Sequence, residues 1–325
     1  MINLKKIGSI ALAVMLCMTM LVSCGDEKKS TSEPSEKEVS LSGDVKIIAA
    51  EGTAYDSVSK LPSDYKVTKA DDTMQVKETV CKGDFDLAVL SPLEAARLYN
   101  QNANFKVVTT VSLADYSLAA TGYVETEEEP KLSYLSGRRI YALEQEPEVT
   151  EKPTVEIKDE SIEIEEPLEM SEEVLRALMA NENRTLYKNN LDWQGEDALK
   201  DIATVTNIRI LADEKTISGL EKNNENLVTL FDLGEMWNKN FGGDIPGYVL
   251  VASDEFLKDR SDDIEAVLND MADSLEKAQK TTDEKLVVYN NSNRGISLIK
   301  KFNEAMAENN IDAIGGEELP DSYYY

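Results

Sequence analysis

The amino-acid sequence predicts an α/β protein built as a two-lobed clamshell, each lobe a mostly parallel sheet flanked by helices. Three observations carry this. Short β-branched runs alternate with amphipathic stretches from Asp44 onward, the rhythm of right-handed βαβ units. Two passages of similar design, Lys82–Ser91 (KGDFDLAVLS) and Thr206–Asp213 (TNIRILAD), each end a strand just before a helix, one on either side of the middle. The stretch from Gly43 to Tyr325, roughly 280 residues, is long for one core and natural for two.

In the first lobe, Asp44–Ala50 (DVKIIAA) reads as a strand, followed by a turn at Glu51-Gly52-Thr53-Ala54 and a helix around Tyr55–Lys60. Tyr65–Ala70 alternates and reads as a second strand. Thr73–Cys81 has helical spacing, and Gly83 serves as its C-cap. Phe85–Leu90 is the nearly continuous apolar run of a buried parallel strand. Ser91-Pro92 breaks it, Leu93–Asn100 is a helix, and Phe105–Thr110 is a further strand. Ala114–Glu125 reads as a strand leaving this sheet, and Arg138–Leu143 begins a second one.

Residues 144–170 stand apart. Eleven carboxylates and three prolines crowd there, and the centre, TVEIKDESIEIEE, alternates charge with valine and isoleucine. It reads either as an exposed hairpin or as a mobile acidic loop, with the balance toward the loop. Its role is open between a solvated insertion and a loop that binds a cation or a partner; the spacing of a calcium loop is missing. Ser171 then caps a helix with Leu175, Leu178 and Met179 facing inward. Trp193–Ile202 reads as helical, Asn207–Ala212 and Leu227–Asp232 as strands, and Tyr248–Ser253 as the strand that returns to the first lobe. Ile264–Lys280 and Ile296–Asn309 are long amphipathic helices. Trp237 reads as a core residue.

The N-terminus is of another kind. Lys5 and Lys6 precede an apolar run that closes on Leu21-Val22-Ser23-Cys24, the layout of a secretory signal that ends on a cysteine. LVSC resembles the lipobox of bacterial lipoproteins, in which a diacylglyceryl group is added to the cysteine sulfur and the signal is cut before it. Each buried acyl CH₂ contributes roughly 0.8 kcal/mol, so two chains hold a protein on a bilayer. The competing reading is an ordinary transmembrane anchor over Leu4–Val22. GDEKKSTSEPSEKEVS, which follows Cys24, is too polar to fold and reads as a tether. Residues 1–23 are therefore expected to be signal and 24–43 tether. Lobe I is expected at 44–121 and 251–325, and lobe II at 122–250 with its acidic insert at 144–170. The protein is placed on the extracytoplasmic face of a cell membrane, held by lipid alone.

Charge and composition exclude several functions. Thirty-four basic against 62 acidic residues give a formal charge of −28, which argues against nucleic acid and against anionic lipid as partners. No histidine occurs, which removes Ser-His-Asp and Cys-His catalysis and histidine metal sites. Of three cysteines, Cys17 leaves with the signal and Cys24 carries lipid, so Cys81 stands alone and reads as a small core residue. The lack of a possible disulfide fits a Gram-positive or anaerobic source. No cofactor is expected.

GDFDLAVLSPLEAARLYN, followed by the strand at Phe105, resembles the substrate-binding lipoproteins of ABC importers, in the branch that includes sulfonate, nitrate and pyrimidine-precursor binders. LFDLGEMWNKNFGG at Leu230–Gly243, the strand Tyr248–Phe256 and the ending GGEELPDSYYY resemble further segments of that family in the same order. The resemblance implies a periplasmic-binding-protein-like clamshell of type II, a monomer that captures a small ligand between its lobes and hands it to an ABC permease, with no chemistry of its own. The chain departs from the family at Leu143-Glu144-Gln145-Glu146-Pro147, where a turn rich in glycine and hydroxyls is usual, and at Glu214, where a P-E-P step is usual. Carboxylates there repel an anion, so a neutral or cationic metabolite is favoured over a sulfonate or nitrate.

Ligands of open α/β sheets bind at the carboxyl ends of strands. The candidate contacts are Glu51, Gly52, Thr53, Ser91, Pro92 and Leu93 in lobe I, and Glu144, Gln145, Asp213 and Glu214 in lobe II. Tyr123 and Tyr248 lie near the two crossings, as stacking or packing residues. Two other classes remain beside capture for import. One is an enzyme of the thiamine-precursor type, which the lack of histidine disfavours. The other is a sensor, orphan receptor or surface interaction protein that has lost transport-type binding.

Overall fold

A computed structural model describes residues 40–123, 130–144, 152–157, 160–280, 285–287 and 292–325. Cys24, Gln145 and the tether as far as residue 39 fall outside the described residues, whereas the tether's last residues are described, and Ser42 donates to Asp263 through its N–H and its hydroxyl. The first lobe opens with β1 (Val45–Ala50), α1 (Thr53–Val58), β2 (Tyr65–Ala70), α2 (Thr73–Lys82), β3 (Leu87–Leu90), α3 (Pro92–Asn100) and β4 (Phe105–Ala114). There follow β5 (Tyr116–Thr121), β6 (Ile140–Leu143), a hairpin of β7 (Thr154–Ile157) and β8 (Glu160–Glu163), and α4 (Met170–Asn181). Next come β9 (Leu191–Gln194), α5 (Glu196–Ile202), β10 (Arg209–Asp213), α6 (Glu214–Glu221), β11 (Leu227–Asp232) and α7 (Leu233–Phe241). The chain ends through β12 (Ile245–Ser253), α8 (Asp254–Arg260), α9 (Ile264–Ala278) and α10 (Ser292–Asn309).

Two five-stranded sheets result, in the orders β2-β1-β3-β12-β4 and β9-β6-β10-β5-β11. Each has one antiparallel strand in the fourth place: β12 against β3 and β4, and β5 against β10 and β11. The remaining pairings within these two sheets, β1 with β2 and β3, and β6 with β9 and β10, are parallel. The two lobes therefore repeat one topology. β3 and β10, which carry the two similar sequence passages, hold the same central place in their sheets.

The chain changes sheet at Asp115, between β4 and β5, and comes back on β12 at Ile245. Both crossings come six residues before the expected boundaries at 121/122 and 250/251. The reason is local: VSLADYSLAA holds no glycine or proline, and Asp115 alone interrupts it. Pro246 and Gly247 suggest a break, yet they lie inside β12. Register shifts against β4 at this point accommodate a residue with no N–H to donate.

Two further expectations are corrected. Trp193 lies in β9 and not in a helix, since LDWQ is a four-residue edge strand too short to show alternation. The acidic segment is not a structureless loop over its whole length, because β7 and β8 pair antiparallel from Thr154↔Glu163 to Ile157↔Glu160. Val155 and Ile164 are buried in the first lobe's core, among Val76, Val80 and Phe85, although the segment leaves and re-enters the second sheet.

Three buried clusters fill the first lobe and its junction, and a fourth fills the outer side of the second sheet. The junction cluster joins Leu93 and Ala96 of α3 and Phe302 and Met306 of α10 to Val174 and Leu178 of α4 and to Trp237 of α7. Trp237 is buried and packs at a tilt against Phe241 and Phe302, as a core residue should. Cys81 is also buried, and burial pushes its thiol up to about 11. Gly83 adopts the left-handed C-cap of α2, where its N–H reaches Val80 O.

Candidate functional site

The lobes face each other across a cleft of about 1260 Å³. Its walls are the carboxyl ends of parallel strands: Glu51-Gly52-Thr53 after β1, Asp71-Asp72-Thr73 after β2 and Ser91 after β3. From the second lobe come Glu144 after β6, Glu196 and Lys200 beyond β9, and Asp213 and Glu214 at the end of β10. The floor is the crossing itself, Ser112–Tyr116, with Gly247, Tyr248 and Lys285. Leu168, Glu169 and Met170, where the acidic segment enters α4, close one side.

Seven of the candidate residues thus meet in one cleft: Glu51, Gly52, Thr53, Ser91, Glu144, Asp213 and Glu214. Pro92 and Leu93 do not line it. Pro92 is the first residue of α3, where a missing N–H costs nothing, and Leu93 is fully buried in the junction core. Tyr248 lines the cleft, whereas Tyr123 packs edge-on against Tyr134. Gly52 has φ 97°, a backbone state that favours glycine, and a Cβ placed there would meet nothing within 4 Å. The turn, not crowding, requires the glycine.

Sequence reasoning overlooked Asp71, Asp72, Ser112, Asp115 and Lys285. The two aspartates follow the strand-end rule used for Glu51 and were legible by it. Lys285 was not legible. Its neighbour Leu286 bridges to Ser112 of β4, and Leu113 N–H donates to Lys285 O at 2.8 Å. Pairing across so long a stretch of chain leaves no local signal.

Three helix N-termini on this cleft, those of α2, α3 and α6, are capped by the chain's own side chains, whereas α1 after Gly52 and α5 after Gly195 have no side-chain cap. Gln75 N–H donates to Asp72 Oδ1 at 2.8 Å at the start of α2, and Glu94 N–H donates to Ser91 Oγ at 3.2 Å at the start of α3. At α6, Thr216 donates to Asp213 through both its N–H and its hydroxyl, each at 2.8 Å, and Glu214 N–H donates to Asp115 O at 3.1 Å. These are donors that an anionic ligand would otherwise use. Nine carboxylates and three lysines line the cleft. Lys200 is paired with Glu196 and Asp197 at 3.0 Å each, and the hydrogen bonds it donates to Asp197 and Glu196 hold its ammonium above the usual range. Lys285 is paired with Asp115 and with Glu214. Among the described residues no group of three or more carboxylates or thiols is placed to hold a metal ion, and no helix is long and apolar enough to cross a membrane.

The sequence matches no family model and no curated protein. The fold does match solved structures. One is an ABC transporter protein from Parabacteroides distasonis, at a TM-score of 0.53 and 12% identity, covering 87% of this chain and 98% of that one. Another is the periplasmic aliphatic sulphonate binding protein SsuA from Escherichia coli, at a TM-score of 0.50 and 10% identity, covering 83% of each chain. At these identities the likeness is one of fold: the chain is a two-lobed α/β protein with the periplasmic-binding-protein-like architecture.

Proposed function

We propose that this chain is an extracytoplasmic solute-binding lipoprotein that captures a small organic ligand between its lobes and delivers it to an ABC permease. One observation carries the reading above all: a cleft of about 1260 Å³ lies where the strand ends of two topologically equivalent sheets converge. Each lobe contributes hydroxyls and carboxylates, and the crossings at Asp115 and ahead of Ile245 are short enough to act as a hinge. No catalytic step is assigned to it. The protein acts as a monomer, with lipid on Cys24 as its only hold on the membrane.

SsuA of Escherichia coli is described as binding aliphatic sulphonates. The cleft here is unsuited to them. Asp72, Ser91 and Asp213 cap three of its helix N-termini, and carboxylates outnumber lysines threefold. A neutral or cationic ligand is therefore favoured.

The test is a thermal-shift panel of pyrimidines, amines, amino acids and sulfonates on the full-length protein in detergent. A ligand of the folded state at 100 times its Kd adds about 2.7 kcal/mol of stability. The expected result is a concentration-dependent rise with one neutral or cationic class, reduced by Thr53→Ala with Glu144→Gln. A flat panel from a well-folded protein overturns capture and favours a sensor or interaction role. The anchor is tested separately. Mass spectrometry of the mature N-terminus should show a diacylglyceryl thioether on Cys24, and Cys24→Ser should shed the protein into the medium.

A further inference from the structure

The most unusual charge in the cleft is a lysine. Lys285 Nζ pairs with Asp115, at the crossing between lobes, and lies 3.1 Å from Glu214 Oε2 at the first turn of α6. Its backbone belongs to the first lobe, because Leu286 bridges to Ser112 and Val287 N–H donates to Val111 O at 3.1 Å. Glu214 belongs to the second lobe. One ammonium thus sits between the lobes, on carboxylates from the hinge and from the far wall. The Lys285 and Glu214 side chains are 54% and 58% exposed, so water can replace either partner readily.

A second observation is independent of these charges. Ser112 is 1% exposed and lines the cleft, and its hydroxyl has no hydrogen-bond partner among the described residues. A Cβ on Gly247 would lie 2.7 Å from Ser112 Oγ, so this hydroxyl has its place only because residue 247 is glycine. Buried hydroxyls are ordinarily satisfied. Ser112 pairs with Leu286, beside Lys285, and lies three residues before Asp115. The cleft therefore offers one carboxylate at the floor, Asp115, one on the far wall, Glu214, and a floor hydroxyl with no partner among the described residues. A primary ammonium has three donors and no acceptor, which suits that set.

We infer that Asp115, Glu214 and Ser112 form an ammonium subsite, that Lys285 is its built-in occupant, and that the ligand is a primary organic amine whose ammonium takes the place of Lys285 Nζ. The inference rests on the capture reading above and names the ligand class for it. Exchange of one ammonium for another leaves the charge at the pair unchanged, whereas an anion would have to enter against nine carboxylates. Lys285 also acts as a tethered competitor. A ligand's apparent affinity falls by the fraction of time the subsite is free, so a lysine resident nine-tenths of the time weakens binding about tenfold.

The experiment is isothermal titration calorimetry on the full-length protein in detergent, with 1,5-diaminopentane, pentylamine, tetramethylammonium and pentanesulfonate as probes. The expected result is binding of the two primary amines but not of tetramethylammonium, which has no N–H. Lys285→Met should tighten amine binding about tenfold. Glu214→Gln, at an exposed position that leaves folding intact, should weaken it at least as much, and Ser112→Ala should weaken it further. Amine binding that Lys285→Met leaves unchanged or weakens overturns the built-in occupant. Binding of pentanesulfonate that Lys285→Met abolishes overturns the ammonium assignment while leaving capture intact. Silence from all four probes, with a thermal shift from another class in the wider panel, has that same meaning. Silence throughout overturns both.

Discussion

Single residues in this protein are fixed by burial and charge together. Lys77 and Glu94 are almost fully buried and form an ion pair, which Arg97 flanks, its Nη1 3.4 Å from Glu94 Oε1. Burial holds the Lys77 ammonium below its usual range, against the pull of Glu94. Lys77→Met leaves a buried carboxylate short of its closest cation and should cost about 3 kcal/mol, the low end for such a loss because Arg97 remains. Urea denaturation of the single variant and of Lys77→Met with Glu94→Gln checks this, and the pair should recover much of the loss. Asp263 makes a different case. Burial raises its pKa, but hydrogen bonds from Ser42 and Arg260 outweigh this and hold the carboxyl below its usual range. A depressed folded pKa adds stability above the unfolded value near 3.9, and that stability is lost as pH falls through the folded value. The thermal midpoint should drop steeply between about pH 5 and pH 2, and Asp263→Asn should flatten the slope.

At the scale of elements, the closest approach is that of α10 to β4. A Cβ on Gly295 would lie 2.2 Å from Thr109 Oγ1 and 2.7 Å from Thr110 N, and Thr110 Oγ1 donates to Gly295 O at 3.1 Å. Alanine gains about 1 kcal/mol of helix propensity over glycine. Forcing the helix off a strand backbone costs about 1–3 kcal/mol and breaks that hydrogen bond as well. Gly295→Ala should therefore lower the thermal midpoint, read by circular dichroism, despite its better propensity. These elements also show what was legible in the sequence. Helices with caps and amphipathic faces, such as Thr73–Lys82 with Gly83, were read almost to the residue. The strand ends that build the cleft were legible for the same reason, since Glu51, Ser91 and Asp213 each stand where an apolar run stops. β9 was lost to a helix because four half-buried residues carry no period. Lys285, and the acidic hairpin's place on the first lobe, depend on long-range pairing that no local window records.

The whole molecule is held by more than its two crossings. After β8 the chain runs back toward α4 along the first lobe, and α2 and α3 grip it there. Lys77 Nζ donates to Glu165 O at 2.7 Å, Arg97 pairs with Glu165 and donates to Glu166 O at 3.1 Å, and Leu168 N–H donates to Glu94 Oε1 at 2.9 Å. Two residues later the same chain forms the wall of the cleft and starts α4 of the second lobe. This limb is a third link between the lobes, joining the helices that cap the first sheet to the helix that opens the second. Its grip has an exposed part, at the Glu165 side chain, and a buried part, at Glu94. The exposed part contributes little to global stability. Glu165→Ala should therefore leave the unfolding free energy from urea denaturation within about 0.5 kcal/mol of the parent. Local opening is governed by fewer contacts than global unfolding. The same variant should exchange the amide hydrogens of residues 164–166 and 168 faster, with β4 and β12 unchanged. Equal rates in variant and parent would mean that Glu94 alone holds the limb. Faster exchange spreading into α4 would mean that the limb and the second lobe open as one unit.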